Sequence, residues 1–227
     1  MAVSFNQLLK SIQAHALVNP KIDLKDYIHI DLSTKNSALK DVNNFSTKDL
    51  ENYIENYKKS NNAKVAYGGY LEQRDMYKRS EYFNHSNPED RRNIHIGLDL
   101  WIEADAPIYA PLEGEIDSFK NNRNYGDYGP TIILKHNING VHFYTLYGHL
   151  SLQSLEDIKI GDQIKLGQKI ATLGSMQVNG DYPPHLHFQV IKDIKENSGD
   201  YPGVVNRSGL EFYRSNCPDP NLLLKLE

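Results

Sequence analysis

The 227-residue sequence has one cysteine, Cys217, so no disulfide can form within the chain. That fits a reducing compartment. It also lacks long apolar runs. The opening stretch MAVSFNQLLKSIQAHALVNP is interrupted by Asn6, Gln7, Lys10 and Gln13, which leaves no secretory hydrophobic region. No stretch approaches the roughly 20 apolar residues of a membrane span. Basic excess is missing too: 25 Lys and Arg stand against 29 Asp and Glu, a net charge of −4, and no basic block is present. A nucleic-acid partner is therefore not expected. No internal repeat or low-complexity segment interrupts the chain. These absences leave the expectation of a soluble cytoplasmic protein with no membrane or nucleic-acid partner. Export behind a leader absent from this sequence stays open, and so does the oligomeric state.

What is present is a globular composition, 39% apolar and 24% charged, with fifteen tyrosines available to a core or a groove. Phe5, Leu8, Leu9 and Ile12 lie on one helical face. YIHIDLS, from Tyr27 to Ser33, alternates like a short strand. STKDLENYIENYKK opens with Ser46 and Asp49, close to a capping box, and carries the stripe Leu50, Tyr53, Ile54, Tyr57. After the polar break KSNNAK, the stretch from Tyr67 to Arg92 reads as an arm lying on the next domain. From about Arg92 the chain becomes short β-runs punctuated by glycine: PIYAP, GEIDSF, PTIILKH, VHFYTLYGHL, KIATLG and HLHFQVIK. NING, Asn137 to Gly140, is a hairpin turn. The pattern predicts a mainly β sandwich or barrel over 81–227 and an α+β extension over 1–80 packing on it.

The chemistry concentrates in HIGLD (His95, Asp99), LYGHL (His149) and PPHLHF (His185, His187). On a strand, positions i and i+2 share a face, so the last pair stands side by side. A catalytic zinc takes three protein ligands and keeps one position open. His95, Asp99 and one histidine of the pair supply such a set, with Gly97 letting the backbone bend between the first two. His149 and the other histidine of the pair then suit proton transfer or an oxyanion. There is no HExxH, so no glutamate base of that kind is available. His15, His29, His85, His136 and His142 are given no catalytic role. His136 and His142 flank the hairpin and are expected to be exposed. Cys217 has no local catalytic context.

Together and in order, HIGLD, APIYAPLEGEI, YTLYGHL, IKIGDQIKLGQKIATLG and PPHLHFQV resemble the lysostaphin-type zinc metallopeptidases, the LytM or duplicated-hybrid-motif family. The resemblance covers about Arg92 to Ile191. It implies an antiparallel β barrel-sandwich hybrid with one Zn²⁺ per chain in an open groove. It also implies cleavage of peptide (amide) bonds in bacterial cell-wall cross-links, often beside glycine or D-alanine. By the same resemblance His95, Asp99 and His187 are the zinc ligands and His149 and His185 the catalytic histidines. The flanking motifs HIDLS, YLEQRDMY, YGPTIILKH, NGDYPPHLHFQVI, DYPGVV and CPDPNLLL resemble a narrower subgroup. There a metallopeptidase-like domain lies between phosphotransferase and class III aminotransferase domains of bacterial proteins.

Three departures stand out. NYGDYGP replaces the family's Gly-Gly-Tyr-Gly element, SMQVNGDYPP replaces a glycine-rich approach to HLH, and Gln189 stands where glutamate is common. They leave the metal set intact and alter the groove wall, so the peptide specificity is expected to shift. Two competing readings follow: a catalytically silent metal-binding recognition module, or an intracellular amide hydrolase. A biotinyl- or lipoyl-type carrier shares some of the β grammar, but no lysine stands at the required hairpin tip.

Overall fold

The computed structural model describes residues 3–41 and 46–226. The site rests on the strand β11, His185–Ile191, whose sequence HLHFQVI alternates polar and apolar side chains. Leu186, Phe188 and Val190 enter the main core, while His185, His187 and Gln189 take the opposite face. β11 sits in the interior of an eight-stranded sheet, ordered β1-β2-β4-β11-β8-β7-β6-β9. The partners are β1 (Tyr27–His29), β2 (Val65–Gly68), β4 (Leu98–Trp101), β6 (Gly114–Asn122), β7 (Gly129–Ile138), β8 (Val141–Gly148) and β9 (Gln163–Ile164). The β1–β2 pair is parallel and the other pairings are antiparallel. Two small sheets pair β10 (Lys169–Thr172) with β5 (Pro107–Tyr109), and β12 (Val204–Val205) with β3 (Ile94–His95).

The expected mainly β fold with an N-terminal α+β part is thus present, as a large mixed sheet. The hairpin between β7 and β8 turns at Asn139 and Gly140, with φ of 53° and 81°. Positive φ at both central residues is the two-residue turn that matches strand twist. Helix α1 (Phe5–Ser11) carries a full capping box between Ser4 and Gln7. Helix α2 (Thr47–Ser60) is capped by Ser46 accepting from the Asp49 amide, and buries Leu50 and Ile54. These pack with Ile30, Leu32, Ala66 and Trp101 in a second core on the site side of the sheet. Each such fully buried aliphatic side chain contributes about 1.5–3 kcal/mol. Two short helices, α3 (Leu210–Asn216) and α4 (Asn221–Leu224), end the chain.

His136 corrects one expectation. It is 1% exposed, not at the surface, because its ring lies under the sheet edge against Glu113 O and Thr145 Oγ1, each at 2.7 Å. Hairpin proximity placed it outside, but its register on β7 turns it inward, whereas His142 is exposed as expected. Burial pushes the His136 pKa down from 6.5 to about 4. The unfolded chain therefore takes up this proton near 6.5 and the folded chain only near 4. The contribution is intact above 6.5 and lost as pH falls toward 4, about 2 kcal/mol by pH 5. Urea unfolding at pH 7 and pH 5 checks this: His136→Gln is expected to shrink the stability difference between the two pH values by about that amount, and an unchanged difference would count against it.

Candidate metal centre and catalytic cavity

Strand register alone assembles much of the site. His187 on β11 pairs with Asp99 on β4 on one side and Gly148 on β8 on the other, and His185 pairs with Trp101. His95 comes from β3, one bend before β4, and His149 follows the end of β8. Gly97 lies in the bend, but its main service is space: a Cβ there would stand 2.3 Å from Cε1 of His187. The ring of a ligand candidate fills the place a side chain would occupy, a stronger demand than the backbone freedom expected of this glycine.

Three donor atoms converge. Nε2 of His95 lies 2.8 Å from Nδ1 of His187, and Oδ1 of Asp99 lies 3.2 Å from each. The far nitrogens are already engaged. Nδ1 of His95 donates to the Gly69 carbonyl at 2.9 Å, and Nε2 of His187 donates to Oε1 of Gln189 at 3.0 Å. This hydrogen-bond pattern assigns both tautomers and leaves the facing nitrogens without protons. Two lone pairs and a carboxylate then point at one another, an arrangement that a bound cation would relieve. The donor set of two imidazoles and one carboxylate, separated by about the edge of a small tetrahedron, fits zinc.

Burial is the largest influence on His95 and pushes it down to about 4, keeping the imidazole neutral. Burial opposes ionisation of Asp99, yet the Arg74 guanidinium beside it helps hold its carboxyl well below the usual range. Oδ2 of Asp99 accepts from Nη1 of Arg74 at 2.5 Å, and Nε of Arg74 donates to Glu72 at 2.8 Å. Arg74 is 1% exposed. It fits because Gly69 has φ +106° and no Cβ, which would otherwise lie 2.1 Å from Nη2 of Arg74.

His149 and His185 stand beside this centre with ring centroids 4.2 Å apart. Nδ1 of His149 donates to the Asn179 carbonyl and Nδ1 of His185 to that of Pro183, both at 2.8 Å. Each ring therefore keeps an unprotonated Nε2, and that of His185 lies 3.9 Å from Oδ1 of Asp99. Burial lowers both pKa values, that of His185 to about 4 and that of His149 well below the ordinary value. Trp101 stacks on His185 at 4.0 Å. His149 adopts a left-handed backbone, φ 62°, at a cost of order 1–3 kcal/mol. Its amide donates to Tyr128 O and its carbonyl accepts from the Gly174 amide, both at 2.9 Å, and these hold it there.

All five residues singled out in the sequence line one cavity of about 200 Å³. His15, His29, His85, His136 and His142 lie outside its walls. Sequence reasoning missed Arg74 and Trp101, for which a lone arginine in an arm and a tryptophan after HIGLD carry no motif. Gln189, expected to alter the groove wall, instead orients His187. Its own amide is fixed by donating to Pro202 O and to Sγ of Cys217, each at 3.2 Å. Burial raises the Cys217 thiol to about 12, so it serves as a neutral, inert prop.

Residues 93–199 match the model of Peptidase family M23. The chain is 37% identical to lysostaphin of Staphylococcus staphylolyticus over 105 residues, which are 46% of this chain and 20% of that protein. It is 30% identical over 105 residues to the peptidoglycan DD-endopeptidase ShyC of Vibrio cholerae, covering 45% of this chain and 22% of that one. To the L-Ala--D-Glu endopeptidase of Bacillus subtilis it is 30% identical over 107 residues, 45% of this chain and 31% of that one. The chain thus spans less than a third of the length of these relatives. Among the described residues no helix is long and apolar enough to cross a membrane.

Proposed function

We propose that the chain is a zinc-dependent peptide hydrolase in which His95, Asp99 and His187 hold one metal ion and His149 and His185 handle protons. The supporting observation is the convergence of two unprotonated ring nitrogens and Asp99 Oδ1 beside two further neutral imidazoles. A zinc ion held there supplies a Lewis acid that polarises an amide carbonyl and acidifies water toward neutrality. Nε2 of His149 accepts the proton of the attacking water, with Nδ1 anchored on Asn179 keeping the ring in the accepting tautomer. His185, clamped between Trp101 and the Pro183 carbonyl, stands next to it; a proton taken from the water and held on its Nε2 would face the tetrahedral oxyanion before passing to the leaving amine. Arg74 neutralises the second oxygen of Asp99, so the first remains a well-oriented donor.

The three relatives bear names that specify different peptide bonds or none, so the scissile bond does not carry over from them. In this reading residues 1–80 act as an α+β extension of a catalytic domain spanning 81–227. Its support is that β2 and Arg74 sit directly on β4. The motifs outside the matched stretch, YLEQRDMY and CPDPNLLL, favour the subgroup seen between phosphotransferase and aminotransferase domains. The test is zinc loading followed by a peptide panel containing Gly-Gly, D-Ala and L-Ala–D-Glu bonds. One zinc per chain and chelator-sensitive cleavage are expected. A chain that takes up no zinc, or a loaded chain silent on every peptide, would overturn the proposal.

A further inference from the structure

We propose that the arm Met76–Arg92 turns the site into a chamber that admits short peptides of two or three residues and excludes cross-linked polymer. This deepens the hydrolase reading above and rests on it for the chemistry, not for the shape.

The arm precedes the stretch that matches the family, yet Tyr77, Tyr82, Phe83 and Arg92 line the same cavity as the five site residues. It is tied down on both sides of the β11 face. On one side Ser80 donates to Tyr125 O at 2.6 Å, and the guanidinium of Arg79 donates to the carbonyl of Asp181 and packs 4.4 Å over the ring of Tyr182. On the other, Nε of Arg92 donates to Val204 O at 2.7 Å. Around these anchors the rings pack at steep angles into a wall. Tyr77 and Phe83 centroids are 5.3 Å apart, Tyr82 and Phe83 4.9 Å, and the Arg92 guanidinium lies 5.1 Å over Phe83. Met76, Tyr77 and Phe83 are buried in one core with Trp101 and Tyr182, so the wall is part of the folded body.

The consequence is size. His95, Asp99, His149, His185 and His187 are each at most 5% exposed. The cavity they share holds about 200 Å³, below the ~300–1,000 Å³ of clefts that take drug-sized ligands. A space of that size takes a short peptide segment at a time, since an extended chain advances ~3.3–3.6 Å per residue. A wall anchored at both sides also narrows the approach, which favours a substrate that presents a free end. A stem peptide held in polymer at both ends has none to offer.

The experiment is a ladder of oligoglycines, from diglycine to hexaglycine, together with purified peptidoglycan, presented to the zinc-loaded full chain. Specificity for di- or triglycine is expected to exceed that for hexaglycine at least tenfold, with no solubilised peptidoglycan. Hexaglycine or peptidoglycan cleaved as well as the short peptides would overturn the chamber. Calorimetric binding of the same ladder to zinc-loaded His149→Ala separates shape from chemistry. Tighter binding of the short members supports the chamber even if wild type cleaves nothing, a result that would sink only the hydrolase reading. Equal affinity across the ladder, or no binding at any length, overturns the chamber. Tyr82, 37% exposed and outside the core clusters, gives the second variant: Tyr82→Ala is expected to narrow the gap between tri- and hexaglycine, and an unchanged gap removes Tyr82 from the wall.

Discussion

Replacing His149 with alanine is expected to leave zinc uptake intact and to lower peptide turnover ~10²–10⁴-fold, the range for loss of a positioned general base. His149 gives no atom to the three-donor cluster, so elemental analysis should still find the metal. Its Nδ1 proton is committed to Asn179, and only a ring in that tautomer has a free Nε2 for the incoming proton. Alanine also fits the left-handed backbone no better than histidine, so some stability loss is expected. Loss of turnover with zinc content and fold retained is therefore the signature, and turnover equal to wild type would remove the role. His185→Ala provides the contrast. If His185 steadies the oxyanion, its removal should also lower turnover, and the larger of the two effects identifies the base.

Replacing His187 with alanine is expected to weaken zinc binding by well over ~100-fold, more than the ~10–100-fold typical of losing a partner behind a ligand. Competition against a chromophoric chelator measures this without reference to activity. Nδ1 of His187 is one of three converging donors, and its loss leaves His95 and Asp99, too few to hold the ion alone. The same titration grades the support behind it. Gln189→Leu removes the acceptor that keeps the His187 proton on Nε2, and a loss of ~10–100-fold is expected. Zinc affinity unchanged in His187→Ala would remove it from the ligand set.

The part of this site that was readable in sequence is the part governed by strand periodicity and short motifs. HLHFQVI shows its two faces by alternation, and HIGLD places a histidine and a carboxylate four residues apart, where one bend brings them together. The hairpin at Asn139 and Gly140 was readable because its chemistry is local. Residues that act through distant partners were not. Nothing near Arg74 announces that its guanidinium will meet Asp99, 25 residues on, nor near Gln189 that Cys217 will hold it. His136 failed for the reverse reason: proximity to a turn suggested exposure, while inward register and a partner on Thr145 decided otherwise. The open groove implied by family resemblance is narrowed here by an arm whose aromatic residues carry no pattern of their own.

The two hydrogen bonds that set the ligand tautomers have an implication for how the molecule matures. One acceptor, the carbonyl of Gly69, lies ahead of the family-matched stretch, and the other, Gln189, is oriented by Cys217 beyond it. A nascent chain released only as far as His187 carries every proposed ligand but lacks the prop that presents the last one. Metal capture on the proposed ligands thus waits until the chain has been made as far as Cys217. The free energy of binding then stabilises the docking of both flanks, because an ion that prefers the finished site draws the whole chain toward it.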